Sequence, residues 1–447
     1  MKKPTVQVLL LLAVVLFTNR AAALEFSLYK LQSGVAGPTL LVIGGIQGDE
    51  PGGFTAASLM VNNYSVSSGE VWIVPNLNFD SIIRHSRGIY GDMNRKFSRL
   101  PNNDPDYQAV SRIKAIIKNK QVGMILNLHD GSGFYNQKYI DEDENPRRWG
   151  QSIVIDQAII EADRYSNIEA IAKRVVARVN RNAGDSKSRI RLKNTRTGEG
   201  DREMQKTLTF FAISNGKAAM GIEASKKYPT HIRALQLLGI IESVMDTLGI
   251  GYSRTFDLNA EAVKYKIGRD IQLGLYDKKI MLDLNDSRKA IANVPMKKNS
   301  PVAFTTNDPL VAVVKSGRNY RVMYGNRTVT TLRPRYLKFD DSLHKVVFEI
   351  DGKTRNVQLG TMVNVRKYFS VKPIQGHRVN VIGYKNAGHS NEAGFSIHRK
   401  DIMPRFSVDR QANKFRVEFY KTKKFSGMVL VNFGDGSDKL AEYDSDL

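Results

Sequence analysis

The sequence predicts an α/β domain, a mainly parallel mixed sheet with flanking helices, followed by two small all-β domains. Between about residues 25 and 250, apolar strand-like runs alternate with segments of helical periodicity, the pattern of a sheet covered by helices. After Gly249-Ile250-Gly251 the helical periodicity fades, and short β-rich runs appear between turn signals. The chain has 447 residues, enough for two to four domains at roughly 150 residues each.

The first 23 residues read as a secretory signal. Lys2 and Lys3 form a positive end, an apolar run covers residues 8–17, and Ala21-Ala22-Ala23 offers a small-residue cleavage site. A membrane-crossing helix needs about 20 apolar residues, and this run is about half that. Cleavage near residue 23 and export to the periplasm are therefore expected, with no stable membrane span.

The α/β domain is expected over 24–250. Its strand candidates are Thr39–Ile43 and residues 71–75, 124–128 and 219–222. Helix candidates lie between them. Residues 54–62 are one, and 106–118 carry Ala109, Val110, Ile113, Ile116 and Ile117 at helical spacing. Ile168–Val179 carries Ile171, Ala172, Val175, Val176 and Val179, and residues 232–248 carry Leu235, Leu238, Ile241 and Met245. A β-rich domain is expected over 251–365, with runs at 310–314, 320–324, 328–332, Lys345–Ile350 and 357–360. Asp351-Gly352 is its clearest hairpin turn. A β-sandwich-like domain is expected over 366–447, with runs at 379–384, 394–398, 415–420 and 428–433.

Composition narrows the chemistry. There are no cysteines, which excludes disulfides and thiolate metal sites and leaves His, Glu, Asp or amide oxygen as metal donors. Lys and Arg number 67 against 44 Asp and Glu, a formal charge of +23. An exported chain of that charge is expected to meet cell-wall polymer or an anionic membrane surface, and not nucleic acid.

Four predicted strands lead to polar clusters. The first leads to Gln47 and Glu50, and the second to a segment containing Arg84, Arg87, Asn94 and Arg95. The third leads directly to His129 and the fourth directly to Glu223. In an open α/β sheet the ligand site lies outside the carboxyl ends of the strands, so these residues are expected to converge. Gln47, Glu50 and His129 would then be three protein ligands with one position open to water, the pattern of a single catalytic Zn2+ ion. Gln47 would bind through its amide oxygen, a poorer donor for zinc than imidazole nitrogen. Gln and neutral His carry the same charge, so a zinc site with Glu50 keeps a net charge of +1. Arg84, Arg87 and Arg95 are suited to carboxylates or to a developing oxyanion, and Asn94 adds an amide donor. Glu223 beside a metal would be a general base.

The ordered motifs Gly-Gly-Ile-Gln-Gly-Asp-Glu-Pro, Gly-Asp-Met-Asn-Arg-Lys-Phe, Asn-Leu-His-Asp and Gly-Ile-Glu resemble those of zinc carboxypeptidases of the carboxypeptidase A type. They equally resemble the related aspartoacylase/succinylglutamate desuccinylase branch. The resemblance covers residues 37–250. It implies that Gln47, Glu50 and His129 hold the metal, that Asn94 and Arg95 clamp a terminal carboxylate, and that Arg87 stabilises the oxyanion. Glu223 is then the general base; Arg84, equally basic but not part of the resemblance, ranks below Arg87 as a further substrate-binding candidate on its charge alone. The departure is Gln47, where the family has His. With the signal and the β-rich C-terminus, it makes the chain similar to the D,L-carboxypeptidases that set helical cell shape. That group trims peptidoglycan tripeptide stems to dipeptides and releases meso-diaminopimelate. Muropeptides are the implied partner, with other cell-wall or cell-shape proteins as further candidates. Two alternatives remain at this stage: a deacylase of small N-acyl amino acids, and a non-catalytic wall-binding scaffold.

Overall fold

The computed structural model describes residues 24–162, 164–385 and 390–434; the expected signal segment 1–23 lies outside them. Two compact units are present.

The first unit opens with β1 (Tyr29–Gln32), β2 (Thr39–Ile43), α1 (Pro51–Asn63), β3 (Tyr64–Ser68), β4 (Glu70–Val74) and α2 (Phe79–Ile83). It continues with α3 (Tyr107–Ile117), β5 (Val122–Gly131), β6 (Phe134–Tyr135), β7 (Glu144–Asn145), β8 (Ser152–Ile155) and α4 (Ile168–Val179). Then come β9 (Arg191–Asn194), α5 (Leu208–Ile213), β10 (Ala218–Ser225), α6 (Thr230–Leu248), β11 (Gly251–Arg254) and α7 (Ala260–Lys266). Seven strands form one sheet in the order β1-β4-β2-β5-β10-β8-β9. The central strands β4, β2, β5 and β10 are parallel. On one side β1 is antiparallel to β4, and on the other β8 is antiparallel to β10 while β9 runs parallel to β8.

Parallel central strands are covered on both faces, which is why they read as continuous apolar runs. Every residue of β2 is buried, as are eight consecutive residues of β5 from Met124 to Gly131. Fully burying one Leu or Ile of this kind contributes about 1.5–3 kcal/mol. Helix α1 begins at Pro51, three residues before the start of the segment expected at 54. Proline at the first helical position loses no hydrogen bond, because that N–H has no partner within the helix.

The boundary expected at residue 250 falls inside this unit, which continues to Ile267. Strand β11 pairs with β3, and Val263 of α7 belongs to the same core. The segments Asp308–Leu310 and Tyr324–Arg327 also belong to it. The buried Asp308 carboxylate accepts hydrogen bonds from Ser58 Oγ, Asn62 Nδ2 and the Leu310 N–H.

In the second unit two four-stranded sheets enclose a single core. One has the order Lys353–Gln358, Lys345–Ile350, Tyr368–Val371, Ile397–His398; the other Met362–Asn364, Lys424–Asn432, Lys414–Lys421, Arg378–Val381. Val346, Phe348, Phe369, Val379, Phe415, Phe419 and Val431 fill the space between them. The boundary expected at 365/366 therefore cuts through a sandwich that already includes Lys345–Ile350. That strand is tied to Lys353–Gln358 through the expected hairpin, with Asp351 and Gly352 both at positive φ, 51° and 83°. The run expected at 394–398 is a strand only over Ile397–His398. Among the described residues of both units, no helix is long and apolar enough to cross a membrane.

Candidate active site

The site is assembled at the carboxyl ends of β2, β5 and β10. After β2 the chain turns through Gly45 at φ +74°, a conformation open to glycine at little cost, and enters the loop carrying Gln47 and Glu50. At the end of β5, His129 lies in register with Glu223 of the neighbouring parallel strand β10. Gly131 follows on β5. A Cβ there would lie 2.8 Å from Glu223 Oε2 and 2.5 Å from the Gly150 nitrogen, so the strand leaves space for the Glu223 carboxylate only because this residue is glycine.

Gln47, Glu50 and His129 are all buried and meet at one point. His129 Nδ1 lies 2.9 Å from Glu50 Oε2 and 3.2 Å from Gln47 Oε1. Donors bound to a tetrahedral ion at about 2.1 Å stand about 3.4 Å apart, and both separations from His129 fall a little short of that. The orientation of the Gln47 amide is fixed from behind, since its Nε2 donates to Asp92 Oδ1 at 2.8 Å. The amide oxygen is thereby the atom that faces His129. A carboxylate, an imidazole and an oriented amide oxygen are a donor set that fits a divalent metal ion.

Asp92 also organises the surrounding cations. Its Oδ2 accepts from Arg87 Nε at 3.0 Å and lies 2.9 Å from Arg87 Nη2, while Arg87 Nη1 lies 3.7 Å from Glu50 Oε1. Its Oδ1 caps the turn by accepting the Asn94 N–H. Asn94 is buried and accepts the Leu208 N–H on its Oδ1, leaving Nδ2 without a protein partner among the described residues. Arg95 follows, its Nη1 donating to the Asn94 carbonyl. On the other side Lys226 Nζ lies 3.5 Å from Glu50 Oε1 and 3.3 Å from Asp49 Oδ2.

The electrostatics separate the carboxylates. Burial, with Glu50 and Asp130 nearby, outweighs the attraction of His129 and pushes the Glu223 carboxyl up to about 7. Asp92 is held below the usual carboxylate range: burial opposes ionisation, but the Gln47 hydrogen bond and the Arg87 charge outweigh it. Burial disfavours the His129 imidazolium, yet the Glu50 hydrogen bond and the surrounding carboxylates raise its pKa.

The structure thus brings Gln47, Glu50, His129, Glu223, Arg87, Asn94 and Arg95 to one end of the sheet. Arg84 shares no hydrogen bond or ion pair with them among the described residues: it is exposed at the carboxyl end of α2, beside Asp80. Asp92, Lys226 and Lys193 are site neighbours that sequence reasoning did not single out. Asp92 lies inside the Gly-Asp-Met-Asn-Arg-Lys-Phe motif, which was its available signal. The two lysines carry none among 67 Lys and Arg.

The family model described as the catalytic region of a carboxypeptidase controlling helical cell shape matches residues 1–268. A second model, the C-terminal domain of metallo-carboxypeptidase, matches residues 339–434. No curated protein matches the chain. Among solved structures, the apo form of the cell shape determinant Csd4 of Helicobacter pylori is 37% identical, with 92% of this chain and 100% of that chain covered at a TM-score of 0.85. Its form bound to mDAP, described as a D,L-carboxypeptidase, is 39% identical over 89% and 97% of the two chains at 0.84. The tripeptide-bound form gives 37%, 92%, 100% and 0.85.

Proposed function

The chain belongs to the family of metallo-carboxypeptidases that control helical cell shape, and from that premise we propose that it is a D,L-carboxypeptidase of the periplasm. Its substrate is the peptidoglycan tripeptide stem, from which it releases meso-diaminopimelate and leaves a dipeptide. Support comes from the two ligands named for the Helicobacter pylori relative, mDAP and a tripeptide. The observation that carries the reading is the approach of Gln47 Oε1 and Glu50 Oε2 to His129 Nδ1, at 3.2 and 2.9 Å, beside Glu223.

Gln47, Glu50 and His129 would hold one zinc ion. Bound there, zinc supplies Lewis acidity to the scissile carbonyl and lowers the pKa of water. Asn94 Nδ2 and the Arg95 guanidinium bind the terminal carboxylate of the stem and set the scissile amide in place. Glu223 accepts a proton from the attacking water and returns it to the leaving amine nitrogen, the role of a general base in this position. Arg87, its fork fixed by Asp92, donates toward the oxygen on which negative charge develops. Digestion of purified muropeptides tests this: tripeptide is expected to disappear as dipeptide and free diaminopimelate form in equal amounts. A zinc-loaded preparation that leaves tripeptide intact across pH 5 to 9 would refute it.

A further inference from the structure

Lys193 on β9 has no assigned part in this reaction, yet it is the cation whose setting is hardest to explain as structure alone. Its Nζ donates to the carbonyls of Pro146 and Arg148 at 3.1 and 3.0 Å. It also sits 4.0 Å from the ring centroid of Trp149 and 4.6 Å from that of Tyr135. Among the described residues no carboxylate lies within ion-pair distance of it. The neighbouring cations differ: Arg87 pairs with Asp92, Lys226 with Asp49, Arg233 with Asp130 and Arg191 with Glu144. Burial pulls the Lys193 pKa down to about 8, and the charge opposing that fall is Glu223. A partly desolvated ammonium facing ring faces and carbonyls, with no counter-ion, has capacity left for an anion.

The sheet register shows where that anion would come from. Glu223 is opposite Ser152, Gly221 is opposite Val154, and Val154 is opposite Lys193. Opposed residues share a face, as do alternate residues along a strand, so Glu223, Gly221, Val154 and Lys193 lie on one face. Ile222, Ile153 and Leu192 take the other face and enter the core. Gly221 has no side chain, and a Cβ placed on it would meet nothing within 4 Å except Val154 Cβ at 3.5 Å. The floor between Glu223 and Lys193 is therefore low and open. The carboxylate clamp is tied to the same frame. Asn94 binds the first N–H of α5, and Thr209 on α5 hydrogen-bonds to Asp156. Asp156 is bonded in turn to Thr197, just past β9. A residue whose carboxylate is held at Asn94 and Arg95, with its amide nitrogen at Glu223, has this floor open to its side chain.

We propose that Lys193 is a specificity-determining residue that receives a second carboxylate, carried at the far end of the released residue's side chain. This rests on the reaction proposed above. Diaminopimelate has such a carboxylate; lysine is the same skeleton without it. The test compares two tripeptides, L-alanyl-γ-D-glutamyl-meso-diaminopimelate and its L-lysine counterpart, with zinc-loaded wild type and Lys193→Gln. The Gln amide can still donate to a loop carbonyl but carries no charge. The variant is expected to lose about 10- to 100-fold in kcat/KM on the diaminopimelate peptide, mainly through KM, and to stay within about twofold on the lysine peptide. Calorimetry with free meso-diaminopimelate should show the same weakening. Equal losses on both peptides, or an unchanged ratio, would overturn the proposal by reducing Lys193 to a support for the Pro146–Trp149 loop. If the wild type cleaves neither peptide, the reaction assignment falls, and this one falls with it.

Discussion

Gln47 is the residue on which the metal site turns. In sequence it looks like a histidine lost from a zinc motif. In the fold its two amide atoms are sorted, nitrogen to Asp92 and oxygen toward His129, so the oxygen is the atom a metal ion between them would meet. Asp92 therefore acts through both Gln47 and Arg87. Asp92→Ala is expected to weaken zinc binding about 10- to 100-fold, as loss of a ligand's hydrogen-bond partner typically does. Competition with a chelator measures this, and unchanged affinity would exclude the orienting role. Glu223→Gln should keep zinc but lower kcat by about 10²- to 10⁴-fold, read by metal analysis and turnover on one preparation. Gln47, Glu50, His129 and Glu223 could be placed together because each lies in a short motif at or just past the end of an apolar strand, and Asn94 and Arg95 through their own motif in the loop after β4. Arg84 was misleading because its charge gave no sign that α2 ends with that residue facing solvent. Lys193 was illegible because its place comes from register across β10, β8 and β9.

Among elements, burial decided what could be read. The strands β2, β4, β5 and β10 are apolar throughout or nearly so, and their positions were evident. The edges were not: β1 is Tyr-Lys-Leu-Gln and β9 is Arg-Leu-Lys-Asn, both only partly buried or exposed. Strand β8 is four residues long and gives too short a signal. In the hairpin Lys345–Ile350/Lys353–Gln358 the return strand is almost wholly exposed, so its polar residues hid its first four positions, the run expected at 357–360 started late, and the Asp351-Gly352 turn was the better guide. Some helix starts are set by single polar residues. Asn167 caps α4 by accepting the Ala170 N–H at 3.0 Å. Asn167→Ala should cost about 1 kcal/mol in urea unfolding, with kcat/KM unchanged because α4 carries no site residue. A loss below the resolution of such an experiment would mean that tertiary packing, not the cap, fixes this terminus.

For the whole molecule, charge and domain boundaries are the relevant features. Residues 268–447 hold 32 Lys and Arg against 18 Asp and Glu, so most of the +23 excess resides outside the α/β unit. This region is expected to hold the protein on anionic wall polymer. Retention on purified sacculi should fall steeply between 50 and 300 mM salt, since exposed charges are screened within about 10 Å at 0.1 M. Salt-independent retention, measured by co-sedimentation, would point to apolar or hydrogen-bonded recognition instead. The domain limits were harder to read than the domain classes, because β11 joins backward to β3 and the sandwich recruits a hairpin from before residue 365. Such pairings are long-range and leave little trace in local pattern. The central claim, a metal-dependent release of the terminal residue, is tested most directly on a defined tripeptide by protein stripped of metal and then reloaded with one equivalent of zinc. Diaminopimelate release should vanish on stripping and return on reloading, and should stay absent in reloaded Glu223→Gln. Release by stripped protein, or full release by that variant, would contradict the account.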